Sequence, residues 1–242
     1  MTLEWQVFLN DDGGGRTYLE WMLQAWGWTL GVAFAAWCVA IPCGAVMGVF
    51  RTLQGAPFLQ RVGQVWVELF RNIPLLVQIF LWYFVLPKVF PVMQQFSSFW
   101  LVVMALGLFT SSRIAEQFRA GIESLPKGQR YAAMALGFKT WQLYWYVLLP
   151  AALRVVLPPL TSESMNLLKN SSVAFAVSIT ELTMFAMQAQ EETSRGVEIY
   201  LAVTFLYVIS ALTINRLLNW VEVKLRIPGQ SALKGPTMSA GH

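Results

Sequence analysis

Tyr131-Ala132-Ala133-Met134-Ala135-Leu136-Gly137, followed after nine residues by Val147-Leu148-Leu149-Pro150, decides how this chain is read. The stretch is a helix-breaking connection between long apolar segments. The small residues Ala132 and Ala133, with Gly137, make one helix face flat enough to seat in a cleft of another protein. Pro150 is placed to open a new helix in its first turn, where its missing N–H is not needed. The plainer reading is an Ala-rich loop helix with no such partner.

Working outward, composition points to a membrane. Apolar residues make up 56% of the chain, charged residues 12%, and the mean hydropathy is +0.52, against roughly 25% charged residues in soluble domains. Trp21 to Phe50 and Val89 to Ser112 contain no Asp, Glu, Lys or Arg over 30 and 24 residues, each enough to cross a hydrocarbon core that needs about 20. The first apolar run is too long for a secretory signal, lacks a basic leader, and follows Glu4, Asp11, Asp12 and Glu20, so we expect the mature chain to keep its start.

The pattern predicts an all-α integral membrane protein with five helices near 24–50, 62–87, 98–120, 150–180 and 198–223. An external segment 1–23 precedes a transmembrane domain over 24–225, whose cytoplasmic loop covers about 121–149, and a cytoplasmic tail follows at 226–242. Charges inside the second and fourth helices require polar surroundings. With the start outside, the internal segments hold ten basic residues: Arg51, Arg61, Arg119, Lys127, Arg130, Lys139, Arg216, Lys224, Arg226 and Lys234. The external segments hold Arg16, Lys88 and Arg195. This is the asymmetry of the positive-inside rule, and it puts the Ala-rich loop on the side where ATP is.

Several chemistries are excluded. The one histidine is the terminal His242, so no His-based triad, zinc site or proton relay is available within the membrane. Cys38 and Cys43 point about 140° apart on a helix and read as packing residues. No Gly is followed directly by Lys, so a phosphate-cradling Walker loop is absent and any ATP must be bound by another chain. The spacings Gly27–Gly31 and Gly44–Gly48 permit close backbone approach, which ordinary helix packing also uses.

The opening stretch resembles the signature loop of binding-protein-dependent ABC importer permeases: EAA, then Gly, then I-x-L-P. Ala132, Ala133, Gly137, Leu149 and Pro150 are in register, with Val147 for Ile and Tyr131 for the acid. Glu68-Leu69-Phe70-Arg71-Asn72-Ile73-Pro74-Leu75-Leu76-Val77-Gln78 is similar to the segment opening the second helix in permeases of the polar amino acid uptake family. Glu116, Arg119, Pro158-Pro159, Glu163, Leu168-Lys169-Asn170-Ser171-Ser172 and Glu181-Leu182 follow that family's later pattern. The resemblance implies a five-helix type I importer permease in a bacterial inner membrane, paired with a similar or identical chain. It also implies two ATP-binding subunits, which carry the ATP and Mg, and a soluble amino-acid-binding protein. It implies no cofactor or catalysis in this chain and no nucleic acid partner. Ala132, Ala133 and Gly137 become the contact with the ATPase, and the helix at about 128–140 moves with it.

Substrate choice rests first on Arg113. Many relatives have Tyr there, and an arginine looks like the glutamate/aspartate branch, since a guanidinium facing a cavity binds a carboxylate bidentately. The alternative is an ion pair with Glu116, one helical turn on. Glu163, Lys169, Asn170 and Ser171 complete the expected substrate site. Asn170-Ser171-Ser172 reads either as a helix broken in mid-membrane that presents free N–H groups to an anion or as a simple external turn. Arg71, Arg154, Glu163 and Lys169 also read as interhelix pairs or as ends reaching for headgroups. The remaining readings are a glutamine, asparagine or other polar amino acid permease, and a secondary transporter.

Overall fold

Thr17 and Glu20 form a reciprocal capping box: Glu20 N–H donates to Thr17 Oγ1 at 3.2 Å, and Thr17 N–H donates to the Glu20 carboxylate at 2.9 Å. The box satisfies two donors that the first turn would leave orphaned, so helix α1 (Tyr18–Thr52) starts six residues before the expected boundary. Its 35 residues extend about 52 Å at 1.5 Å per residue, well beyond the bilayer core. The structure is a computed structural model, and it describes residues 4–225. The expected tail 226–242, including His242, lies outside the described residues.

The expected second helix is two pieces. Helix α2 (Pro57–Asn72) stops before Pro74, which disfavours helical backbone at the residue before it. Helix α3 (Leu75–Phe80) continues through a wide turn at Leu81–Val85 into α4 (Leu86–Val89), and the two arms are bent by 102°. The bend leaves the last carbonyls of α2 without helical partners. The buried Gln78 answers them: its amide donates to Phe70 O at 2.7 Å and Ile73 O at 3.0 Å.

Helix α5 (Ser98–Glu123) packs along α1. At Gly44 a Cβ would stand 2.6 Å from Ile114 Cβ and 2.8 Å from Ser111 O, and at Gly48 it would stand 2.6 Å from Phe118 Cβ. Of the two small-residue spacings, Gly44–Gly48 is therefore the α1–α5 contact, while Gly27 and Gly31 meet nothing among the described residues.

After α5 come α6 (Lys127–Ala135), α7 (Thr140–Gln142) and a wide turn at Leu143–Leu148 that runs into α8 (Leu149–Asn170). Pro150 stands in the first turn of α8, as expected, but α8 does not start from a free end. The helical run begins at Thr140, and the wide turn just before Pro150 is the adjustment that absorbs a missing N–H within a helix.

The expected fourth helix, 150–180, also ends differently. Helix α8 tightens into a 3-10 stretch at Ser171–Val177, and Ser178 reverses the chain with φ 60° and ψ 30°. A further helix, α9 (Leu182–Thr193), precedes α10 (Gly196–Leu225). Four helical runs are long and apolar enough to cross a membrane: Tyr18–Thr52, Ser98–Glu123, Thr140–Val177 and Gly196–Lys224. The bent pair makes a fifth when its arms count as one span. No strand occurs among the described residues, and an isolated bridge joins Asp11 to Thr17.

The apolar core is layered along the helices. Val7, Phe8 and Trp21 pack with Phe185 and Ile199 at the N-terminal end of α1. Val32, Ile79, Leu106 and Leu167 fill the middle, and Ala40, Ile114, Phe118 and Val156 lie beyond them. Ile122, Ala133, Tyr144 and Leu148 anchor the loop at the other end.

Candidate functional site: an arginine-lined cavity and a coupling helix

Residues four and then three or four apart on α5 share one face of the helix. Phe109, Arg113, Glu116 and Gln117 accordingly line a cavity of about 420 Å³ together with Arg71 of α2 and Glu163 of α8. On the opposite side of α5, Ser111 takes the Trp66 indole N–H at 3.0 Å and donates to Leu108 O, while Ser112, beside the cavity residues, donates to Phe109 O. Both hydroxyls are thus used inside the protein, which leaves the charged face to the cavity.

Arg113 Nη2 stands 3.1 Å from Glu163 Oε1. The alternative pairing with Glu116 is not formed, because Glu116 belongs to another cluster: Arg51 Nη1 at 2.8 Å, Arg119 Nη2 at 3.0 Å and Arg71 Nη1 at 3.8 Å. Arg119 also pairs with Glu123 at 2.5 Å. The Arg113 side chain remains 39% exposed toward the cavity, while that of Glu163 is 9% exposed. The cavity wall itself carries two arginines, Arg71 and Arg113, and two glutamates, Glu116 and Glu163. Gln117 Oε1 is buried and accepts no hydrogen bond.

Of the expected substrate residues, the structure brings Arg113 and Glu163 together and leaves the others elsewhere. Lys169 is exposed and, like Arg154, makes no ion pair among the described residues. Asn170 is half-buried at the end of α8. Ser171 is fully buried and donates to Leu168 O at 2.7 Å, and Ser172 donates to Lys169 O. The 170–172 segment carries α8 into the 3-10 stretch, and its two hydroxyls bond back to the preceding helical turn. Arg71 and Gln117 were missed as cavity residues. The signal for Gln117 was present in its spacing of four from Arg113, whereas Arg71 enters from a separate helix.

The loop helix α6 divides the small residues assigned to it. Ala133 is 4% exposed and packs inward with Ile122, Leu143, Tyr144 and Leu148, so it cannot be part of an outer docking face. Gly137 has φ +80°, with Gly137 N–H donating to Met134 O and Phe138 N–H to Ala133 O. That is the paired bonding of a Schellman stop, for which the left-handed backbone favours glycine. The surface turned outward is Ala132 with Tyr131, Met134 and Leu136, the last three 65%, 54% and 77% exposed. Tyr144 holds the helix to the rest of the protein: its hydroxyl donates to Thr52 O at 2.6 Å and accepts from Arg130 at 3.1 Å.

A family model described as binding-protein-dependent transport system inner membrane component matches residues 40–227. The chain belongs to this family. It is an inner-membrane permease component of an ABC importer for polar amino acids. It is 39% identical over 236 residues to the Escherichia coli K12 glutamate/aspartate import permease protein GltJ, covering 93% of this chain and 96% of the relative. It is 35% identical over 182 residues to the Bacillus subtilis probable glutamine ABC transporter permease protein GlnM, covering 75% of this chain and 82% of the relative. The crystal structure of an amino acid ABC transporter with histidines matches with TM-score 0.77 and 28% identity, covering 93% of this chain and 100% of that chain. An inward-facing MetNI methionine ABC transporter shares the fold at TM-score 0.68 and 20% identity, covering 86% and 96%.

Proposed function

We propose that this permease carries acidic amino acids, glutamate and aspartate, and that Arg113 is the group that recognises the substrate's side-chain carboxylate. The observation that carries the reading is the Arg113 guanidinium, which stays partly exposed to the cavity while the acid it pairs with, Glu163, is buried. The 39% identity to a glutamate/aspartate permease supports it. An acidic amino acid has two carboxylates and one ammonium. Arg113 and Arg71 answer the carboxylates, and Gln117 Oε1 and Glu163 offer acceptors to the ammonium. Glu163 occupies the position on Arg113 that a substrate carboxylate would take, so substrate entry exchanges one charge-assisted pair for another.

In this account the chain has no catalysis of its own. ATP and Mg are held by two partner ATPases, which seat the exposed Tyr131, Met134 and Leu136 face of α6. Their closure on ATP moves α6, and Tyr144 passes that motion to the end of α1. A soluble binding protein delivers substrate to a pair of permease chains. A second reading, uptake of a neutral polar amino acid such as glutamine, is favoured by the Arg113–Glu163 pair itself, which neutralises the guanidinium. Uptake of labelled glutamate by the reconstituted importer with its binding protein separates the two readings. Competition by aspartate but not glutamine supports the acidic substrate, and competition by glutamine alone rejects it.

A further inference from the structure

The face of the α7–α8 run where it starts at Thr140 is not used by the cavity. A groove of about 620 Å³ lies between Val49 and Leu53 at the end of α1 and Lys139, Trp141, Trp145 and Leu149 at the start of the α7–α8 run. Its walls are apolar except at one end, where Lys139 stands exposed with no ion pair among the described residues. Trp141, Trp145 and Tyr146 are 60%, 65% and 60% exposed within the first seven residues of a membrane-spanning helix. Exposed indoles and a phenol at that depth belong to the headgroup level of a bilayer, where one edge is wet and the other apolar. The Tyr144 ring forms part of the groove, and the Arg130 guanidinium lies 5.9 Å from its centroid with no carboxylate of its own.

We infer that this groove binds one anionic phospholipid of the cytoplasmic leaflet, with an acyl chain against Val49, Leu53 and Leu149 and the phosphate on Lys139. Charge decides the occupant: an uncompensated cation at headgroup depth, backed by a second across the Tyr144 ring, selects an anionic headgroup over a zwitterionic one. The lipid then wedges between the end of α1 and the helix that follows the coupling loop, beside the Tyr144–Thr52 bond that ties the two together. The inference rests on the permease fold alone and not on the choice of transported amino acid.

The test uses the assembled importer in nanodiscs of phosphatidylcholine with phosphatidylglycerol, followed by native mass spectrometry of retained lipid and by photo-crosslinking from position 145. The wild type retains phosphatidylglycerol in preference to phosphatidylcholine, and the crosslink at 145 falls on lipid. Lys139→Gln loses about fivefold in retention, Lys139→Arg restores it, and Lys88→Gln in α4 leaves it unchanged, all with the assembly intact. Equal retention of the two lipids, equal effects of Lys139→Gln and Lys88→Gln, or a crosslink from 145 to another protein chain overturns the inference.

Discussion

Arg113 of α5 and Glu163 of α8 meet at 3.1 Å on the wall of the cavity, and the acid is the more deeply buried of the two. A pair placed this way ties two spans together while leaving the cation accessible from the cavity. Removing the acid alone strands a guanidinium at a half-buried site, and removing both partners does not. Glu163→Gln therefore destabilises the purified permease by about 1–3 kcal/mol, and adding Arg113→Gln recovers part of that loss. Thermal unfolding of the two single variants and the double variant measures the coupling, and strictly additive losses contradict the pairing.

Gly44 and Gly27 lie on the same helix with opposite surroundings. Gly44→Val drives a side chain into Ile114 and the Ser111 carbonyl, an overpacking that costs about 1–3 kcal/mol or more and loosens α1 from α5. Gly27→Val meets open space within the chain and leaves its stability unchanged. Melting of the detergent-solubilised chain reads both, and similar melting temperatures for the two variants contradict the helix packing.

The coupling helix offers a separation of stability from docking. Gly137→Val places a β-branched residue at φ +80°, which costs about 1–2 kcal/mol and frays the end of α6. Leu136→Asp changes only an exposed residue, so it leaves stability unaltered and releases the ATPase subunits. Co-purification of the ATPase with each variant decides the point. Full ATPase retention by Leu136→Asp contradicts the docking face.

Glu181 caps α9 and is fully buried. Its carboxylate accepts from Thr183 N–H at 2.9 Å, Met184 N–H at 3.0 Å and the Tyr207 hydroxyl at 3.0 Å, while Thr29 takes Leu182 N–H beside it. Burial pushes this carboxyl above its ordinary value of 4.5, against the opposing effect of those hydrogen bonds. A folded-state value above the unfolded one contributes stability at low pH that is lost as pH rises through the folded value. Thermal stability measured upward from pH 4.5 therefore carries a falling component that Glu181→Gln removes. A variant with the same pH slope as the wild type contradicts that assignment.

Much of this architecture is legible in the residues, and the gaps have physical causes. Uncharged runs such as Trp21–Phe50 identify the spans because a bilayer tolerates little else. The start of α1 was legible too, in the Thr17–Glu20 capping box that lies outside the apolar run. Pro74 signals a break, but its 102° angle depends on Gln78 reaching carbonyls five and eight residues behind it. Helix α9 hides because its cap is Glu181 rather than a short hydroxyl or amide residue, and because a buried acid reads as part of a loop. The partner of Arg113 was misread since Glu116 is near in sequence, whereas Glu163 is brought in by the packing of α8 on α5. Ala133 shows the same limit: a small residue in a loop helix has the same sequence signature whether it faces a partner protein or its own core.

The most direct measurement compares uptake of glutamate and of a neutral polar amino acid by the reconstituted importer, with wild-type and Arg113→Gln permease at saturating binding protein and with assembly verified in each. Loss of one charge-assisted pair predicts that glutamate uptake falls by about 1.5–3 kcal/mol, on the order of ten- to a hundredfold, while uptake of the neutral amino acid is unchanged. Equal loss of both substrates from an intact assembly, or undiminished glutamate uptake, contradicts the assignment.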